Sequence, residues 1–295
     1  MIFKHIPVLL NEVLGLVCIE PEGIYVDCTI GEGGHAEAIL NIIHPKGFLI
    51  GIDCDKSVLE IAESRLGKFA GSFKLVHDNF LNITDICSQL NIKAVDGIIF
   101  DIGMSSYQID NPERGFSFNK NGPLDMRMDR SSNLTAQSLI NNLSYDELAE
   151  IFFKYGEERY SKRIASRIIT ERKKESIQTT GELVTIIKKA IPLKRYRIHP
   201  ATRVFQSLRI ATNNELEDLS AAITHGFSLL KKEGRMCIIS FHSLEDRITK
   251  NKFREFKMNE QAKIITKKPL TPTREEIDRN IRSRSAKLRV LEKTQ

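Results

Sequence analysis

The stretch Tyr25-Val26-Asp27-Cys28-Thr29-Ile30-Gly31-Glu32-Gly33-Gly34-His35 constrains everything else this chain can fold into. An apolar, β-branched run from Ile24 leads into an acid, then into three glycines within four residues, then into the helical composition of Ala36-Glu37-Ala38-Ile39-Leu40. That order reads as strand, tight turn, helix. Glycine lets the backbone turn sharply and approach a ligand, and the helix that follows points unpaired N–H groups into the same crevice. The pattern predicts a nucleotide-type cofactor site, although a glycine-rich turn without a ligand has the same local signature. A second acid separates the two readings. Phe48-Leu49-Ile50-Gly51-Ile52-Asp53 reads as the next parallel strand, and Asp53 follows Gly31 at roughly the 20-residue spacing of a ribose-binding carboxylate.

Two cofactors compete for this geometry. Gly31-x-Gly33-x-x-Ala36 satisfies the dinucleotide fingerprint, which keeps NAD and an oxidoreductase open. Asp27, placed just before the glycines, suits a cationic amino-acid tail better than a pyrophosphate. S-adenosyl-L-methionine carries such a tail and a sulfonium, and local chemistry favours it.

The 295 residues suffice for one large domain or two ordinary ones, and 41% hydrophobic with 28% charged residues is a globular composition. No apolar run has the length to span a bilayer, and Asn11 and Glu12 fall where a signal peptide needs an apolar centre, so a cytoplasmic protein with no membrane partner is expected. The five cysteines (Cys18, Cys28, Cys54, Cys87, Cys237) are odd in number, widely spaced and mostly set in apolar segments. This favours buried thiols over disulfides, and no Cys/His cluster has metal-ligand spacing. The net charge of +6 is unevenly placed: residues 159–209 hold fourteen Lys/Arg against three acids, a local +11 that leaves the rest at −5. An excess of that size points to a polyanion partner rather than an ordinary solvated face.

Along the chain, residues 57–69 have helical spacing and residues 72–77 read as a third strand, with Asn79 and Phe80 just beyond its end. Ala94-Val95-Asp96-Gly97-Ile98-Ile99-Phe100-Asp101 is a fourth strand, again closed by an acid, so Asp27, Asp53 and Asp101 are expected to line one crevice. Residues 102–130 break into Gly, Ser, Asn, Pro and charged residues, the pattern of an active-site loop. An all-helical interval follows, with a capping box at Ser144-Tyr145-Asp146-Glu147 and a helix capped by Thr180. The α/β pattern resumes near Val204 with a helix over 214–232 and a strand over 236–241. A helix over 244–256 and two closing strands over 262–266 and 288–291 complete it.

The assembled motifs are long. They include Asp27-x-Thr29-x-Gly31-x-Gly33-Gly34-His35, Asp101-Ile102-Gly103-Met104-Ser105-Ser106, Arg114-Gly115-Phe116-Ser117-Phe118 and Gly122-Pro123-Leu124-Asp125-Met126-Arg127-Met128. His199-Pro200-Ala201-Thr202-Arg203-Val204-Phe205-Gln206, Phe241-His242-Ser243-Leu244-Glu245-Asp246-Arg247 and Arg282-Ser283-Arg284-Ser285-Ala286-Lys287-Leu288-Arg289 complete the set. On these the chain closely resembles the bacterial RsmH (MraW) family from end to end. The resemblance implies an α/β, class I (Rossmann-like) S-adenosylmethionine-dependent methyltransferase sheet, in two parts at 1–112 and 205–295. The substrate-recognition domain, helical and inserted with its active-site loop, would lie at 113–204. It implies methylation of N4 of a cytidine, cytidine 1402, in the decoding region of 16S rRNA. The partner would be small-subunit ribosomal RNA within the 30S subunit, with a homodimer left open. A non-catalytic ribosome assembly factor is the remaining alternative, against which the intact glycines and acids argue.

Carried over residue by residue, the cofactor pocket would be Gly33, Gly34 and His35 at the turn, Asp53 on the ribose, Phe80 near adenine, and Asp101 and Gln108 beside the methionine end. For His35, capping of the first helical turn competes with ligand contact. Asp101 is the candidate catalytic residue by strand position. The Asp/Asn/Ser-Pro-Pro-aromatic signature of many amino-methyltransferases is replaced here by Asp-Ile-Gly-Met, and the loop offers no cysteine nucleophile for attack through a ring carbon. Arg114, Arg127 and Arg203 are candidates to grip RNA phosphates, with pairing of the arginines to Asp125 and Asp129 as the rival reading. Lys194, Arg195 and Arg197, clustered before His199, are candidates as well. His242 reads as a structural histidine.

Overall fold

In the computed structural model, which describes residues 6–17, 19–192 and 198–295, the seven strands expected from the sequence pair into one sheet. They are β1 (Ile24–Asp27), β2 (Phe48–Asp53), β3 (Phe73–His77), β4 (Val95–Asp101), β5 (Leu230–Ser240), β6 (Ala262–Ile264) and β7 (Lys287–Lys293). Their spatial order is β3-β2-β1-β4-β5-β7-β6. The first five strands are parallel, and β7 runs antiparallel to both β5 and β6. The chain steps outward from β1 to β3 and then returns to β4 on the other side, so the strand order reverses between β1 and β4. Beyond the carboxyl ends of strands at such a reversal lies the ligand crevice of an open α/β sheet.

Helices α1 (Leu10–Leu16), α2 (Gly34–Ile43), α3 (Lys56–Leu66) and α4 (Ile83–Gln89) accompany the first four strands. After β4 come α5 (Ser106–Asp110), α6 (Ala136–Asn142), α7 (Tyr145–Lys154), α8 (Ser161–Arg172), α9 (Thr180–Ala190) and α10 (Thr202–Asn213). The remaining helices, α11 (Glu215–Leu229), α12 (Ser243–Met258) and α13 (Arg274–Arg279), alternate with the last strands. The two-residue period of the strands sorts their side chains to opposite faces. Tyr25, Leu49, Ile99 and Cys237 pack with Val13, Ile39, Leu40 and Leu66 on one face. Their neighbours Val26, Ile50, Ile98, Phe100 and Met236 pack with Ile83, Leu219, Ile223 and Phe253 on the other. Cover on both faces is why these strands are apolar throughout rather than alternating with polar residues. The helix expected over 214–232 stops at Leu229, because Lys231 belongs to β5 and pairs with Asp96 at 2.8 Å.

The chain divides into two compact units, Met1–Ser105 with Leu216–Gln295, and Ser106–Glu215. The boundaries drawn from sequence at 113 and 204 lie inside the second of these. A break at 204/205 would cut α10, which packs on α6 and α7. The second unit is built of helices started by local capping: Thr135, Ser144 and Thr179 each close a capping box. The cap of α9 is therefore Thr179, one residue before the expected Thr180. Thr180 is the first helical residue, and its hydroxyl accepts from the Gly122 N–H and donates to the Lys120 carbonyl.

Candidate active site

The glycine turn is held open from below by Asp53, whose Oδ2 accepts from the Gly31 N–H at 3.0 Å while its Oδ1 accepts from Asp55 at 2.9 Å. Gly33, the residue before α2, has φ +78°, a left-handed conformation that disfavours any side chain. Gly34 must also lack a side chain, because a Cβ there would lie 2.5 Å from the Pro7 ring. No side chain caps α2, which leaves its first N–H groups available to a ligand.

Asp27 and Asp101 end the two strands that flank the reversal. The Asp27 carboxyl accepts from the Thr29 N–H at 3.2 Å, and the Thr29 hydroxyl accepts from the Asp101 N–H at 2.6 Å, tying the two strand ends together. Burial pushes all three strand-end acids upward. Asp27 rises to about 7, Asp53 to about 6 against the pull of its two N–H donors, and Asp101 to about 8 with Asp27 and Glu245 adding to the effect. Among the described residues no Lys or Arg pairs with any of them. The Oδ1 of Asp101 is buried without a hydrogen-bond partner. Asp27, Asp53 and Asp101 thus end neighbouring strands with no Lys or Arg paired to them among the described residues.

His35 neither caps α2 nor sits on the surface. It is buried, its Nε2 donates to the Val8 carbonyl at 3.0 Å, and its Nδ1 faces Asp101 Oδ2 at 3.8 Å. The carbonyl acceptor fixes the proton on Nε2. Phe80, in the 3-10 turn Phe80–Asn82 capped by Asn79, packs edge-on against Phe100 with centroids 5.8 Å apart and stays half-buried at the sheet edge. Gln108 is buried in α5, within the second unit.

Sequence reasoning missed Glu245. Fully buried, it accepts from the Phe241 and His242 N–H groups at 2.7 and 3.2 Å, locking the turn after β5, and its charge raises Asp101. The available signal was the box spacing His242-x-x-Glu245, in which His242 caps α12 as a structural residue.

The arginines proposed for phosphate divide differently. Arg114 is almost fully buried and donates to the Arg127 and Met128 carbonyls at 2.8 and 3.0 Å. Arg127 forms a bidentate pair with Asp125 at 2.8 and 2.9 Å and donates its remaining Nη1 to the Arg130 and Ser132 carbonyls. Arg127 thus follows the rival reading of pairing with Asp125, and Arg114 bonds to the loop's own backbone. Arg203 gives one bond to the Glu157 carbonyl, and Lys194, Arg195 and Arg197 lie outside the described residues.

A doubly wound sheet ordered 3-2-1-4-5 that closes on a reversed β7, with strand-end acids around a glycine turn, is the Rossmann-like fold of class I methyltransferases. No helix among the described residues is long and apolar enough to cross a membrane. The chain belongs to the MraW methylase family, matched over residues 2–294. It is 51% identical to "Ribosomal RNA small subunit methyltransferase H" of Halothermothrix orenii, covering 98% of each chain. Proteins of the same name from Clostridium botulinum and Clostridioides difficile are 50% and 45% identical, with 99% of this chain and 100% of each relative covered. Membership in a methylase family removes the oxidoreductase alternative.

Proposed function

We propose that this chain transfers a methyl group from S-adenosyl-L-methionine to N4 of a cytidine in the decoding region of 16S rRNA, cytidine 1402. The observation that carries this reading is the uncompensated carboxyl cluster of Asp27, Asp53 and Asp101 at the strand-order reversal. Residues and cofactor fit, because S-adenosylmethionine is cationic at both sulfonium and ammonium. The orphaned Oδ1 of Asp101 has acceptor capacity to spare. When bound, the cofactor supplies an electrophilic methyl group on a positively charged sulfur.

Asp53 keeps a second lone pair on each oxygen after its two backbone bonds, enough to accept from ribose hydroxyls. Gly33, Gly34 and His35 form the wall of the turn, and Phe80 offers a ring edge for adenine. The exocyclic amine of cytosine is a weak nucleophile because its lone pair is delocalised into the ring. Asp101 would accept a hydrogen bond from that amine, orienting it, and take its proton at Oδ1. Without the cofactor the carboxyl, raised to about 8, holds its own proton at neutral pH, and the positive charge of the bound cofactor would favour the ionised form that accepts one.

The small-subunit RNA named in its relatives supports the substrate. Mass spectrometry of small-subunit RNA from cells with and without the protein tests the whole reading. The expected result is loss of a single methyl at N4 of that cytidine, and an unchanged methylation pattern refutes it.

A further inference from the structure

The motif Arg282-Ser283-Arg284-Ser285-Ala286-Lys287-Leu288-Arg289 takes no part in the site above. It belongs to a second basic segment: residues 263–289 carry nine Lys/Arg against Glu275, Glu276 and Asp278, a local +6. With +11 in residues 159–209, the remainder of the chain carries −11, so the positive charge has two homes. Part of the second is neutralised within the fold. Asp246 pairs with Arg289 at 2.7 Å and Lys287 at 3.4 Å, and Glu275 pairs with Arg279. Lys267, Lys268, Arg274 and Arg284 are exposed, and none makes an ion pair among the described residues.

Topology decides where these charges lie. Lys287 opens β7 opposite Ser240, the last residue of β5, so the 3-10 turn Ile281–Ser285 stands at the carboxyl edge of the parallel strands. That is the edge carrying Asp27, Asp53 and Asp101, and β7 lies two strand spacings from β4, roughly 10 Å. Leu270 and Leu288 exchange both backbone hydrogen bonds at 2.9 Å, which holds the Lys267-Lys268 bend alongside the start of β7. Next to Arg284 and Arg282, Ile281 is 65% exposed. Asn280 donates to the carbonyl of Ile6, itself 51% exposed. Uncompensated cations beside bare apolar surface match a nucleic-acid strand, which offers phosphates and base faces together.

We infer that the methyltransferase unit has an RNA-phosphate contact of its own, formed by Lys267, Lys268 and Arg284 at the carboxyl edge of the sheet. It rests on RNA being the substrate and adds a second contact surface to the basic helical unit. Phosphate contacts release condensed counterions, so each one adds to the salt dependence of binding.

The test is binding of a small-subunit RNA fragment to the full-length protein across a salt series, for the parent and for Lys267→Ala/Lys268→Ala/Arg284→Ala. The slope of log affinity against log salt should fall by about 2 in the triple variant, roughly 0.7–0.9 per contact. Calorimetric affinity for S-adenosylmethionine and the melting temperature should stay at the parent values. Should the triple variant fold poorly, Arg284→Gln alone should flatten the slope by about 0.8. Parent and variant lines that run parallel with one intercept overturn the contact. A methyl-transfer assay with the parent on the same RNA keeps the two readings apart: no transfer by the parent refutes the substrate, whereas transfer with indistinguishable variants refutes this surface alone.

Discussion

Asp101 in the α/β unit and Asp125 in the helical unit are both enclosed carboxyls, and their surroundings are opposite. Burial raises each, but the Arg127 guanidinium holds Asp125 below the usual carboxylate range through hydrogen bonds and charge. Among the described residues Asp101 faces His35 at 3.8 Å and feels the charges of Asp27 and Glu245, and it stays raised. The loop of the helical unit therefore closes its charge within itself, as scaffolds do, whereas the crevice at the sheet edge leaves its charge for a ligand to complete. A perturbed carboxyl with no built-in partner marks a site, and a paired one marks structure.

The largest test of this contrast is Arg114→Ala. Two charge-assisted hydrogen bonds to backbone carbonyls would be lost from a buried position, a cost of about 3 kcal/mol or more. Denaturant unfolding should show that loss. A variant as stable as the parent but weak in RNA binding would return Arg114 to the role of phosphate ligand.

Next is Asp101→Asn, which keeps the shape and removes the proton acceptor. Turnover should drop by about 100-fold while cofactor affinity changes far less. Equal losses in single-turnover rate and in calorimetric affinity would make Asp101 a cofactor ligand only.

Asp53→Ala should weaken S-adenosylmethionine binding by more than tenfold, since a charged acceptor contributes roughly 1.5–3 kcal/mol per hydrogen bond. Unchanged calorimetric affinity would remove Asp53 from the site and leave it as a brace for Gly31.

The same contrast predicts a pH dependence of stability without cofactor. Asp101 has an ordinary pKa near 3.8 when unfolded and about 8 when folded, so between these values the folded state holds the extra proton and stability falls as pH rises. Asp27 at about 7 and Asp53 at about 6 act in the same direction. Melting temperature should decline from pH 5 to 8, and Asp101→Asn should lessen that decline, most of all at the upper end of the window. A melting temperature that is flat over this window in the parent would mean that the carboxyls are compensated after all.

Much of the fold was legible because its signals are local. Strand-ending acids, the glycine turn and the Ser144 capping box each depend on residues within four positions of one another. The choice between Thr179 and Thr180 as cap was not legible, because both hydroxyls suit the task and the contact with Gly122 decides. Glu245 escaped for a related reason: an acid in a helix's first turn looks solvated until the turn after β5 closes over it. The second basic segment is masked in the net charge, because the +6 of residues 263–289 is offset by acids spread over the rest of the chain outside 159–209.

The sequence by itself determined the seven strands, the acids that end three of them and the glycine turn, because backbone sterics and two-residue periodicity operate over short range. Tertiary structure alone decided which charges remain uncompensated. The distance from one charged group to another across β1, β4 and β5, or from Arg114 to the Arg127 carbonyl, depends on strand order and loop closure. Electrostatic free energy depends on that distance and on burial, neither of which a linear pattern contains.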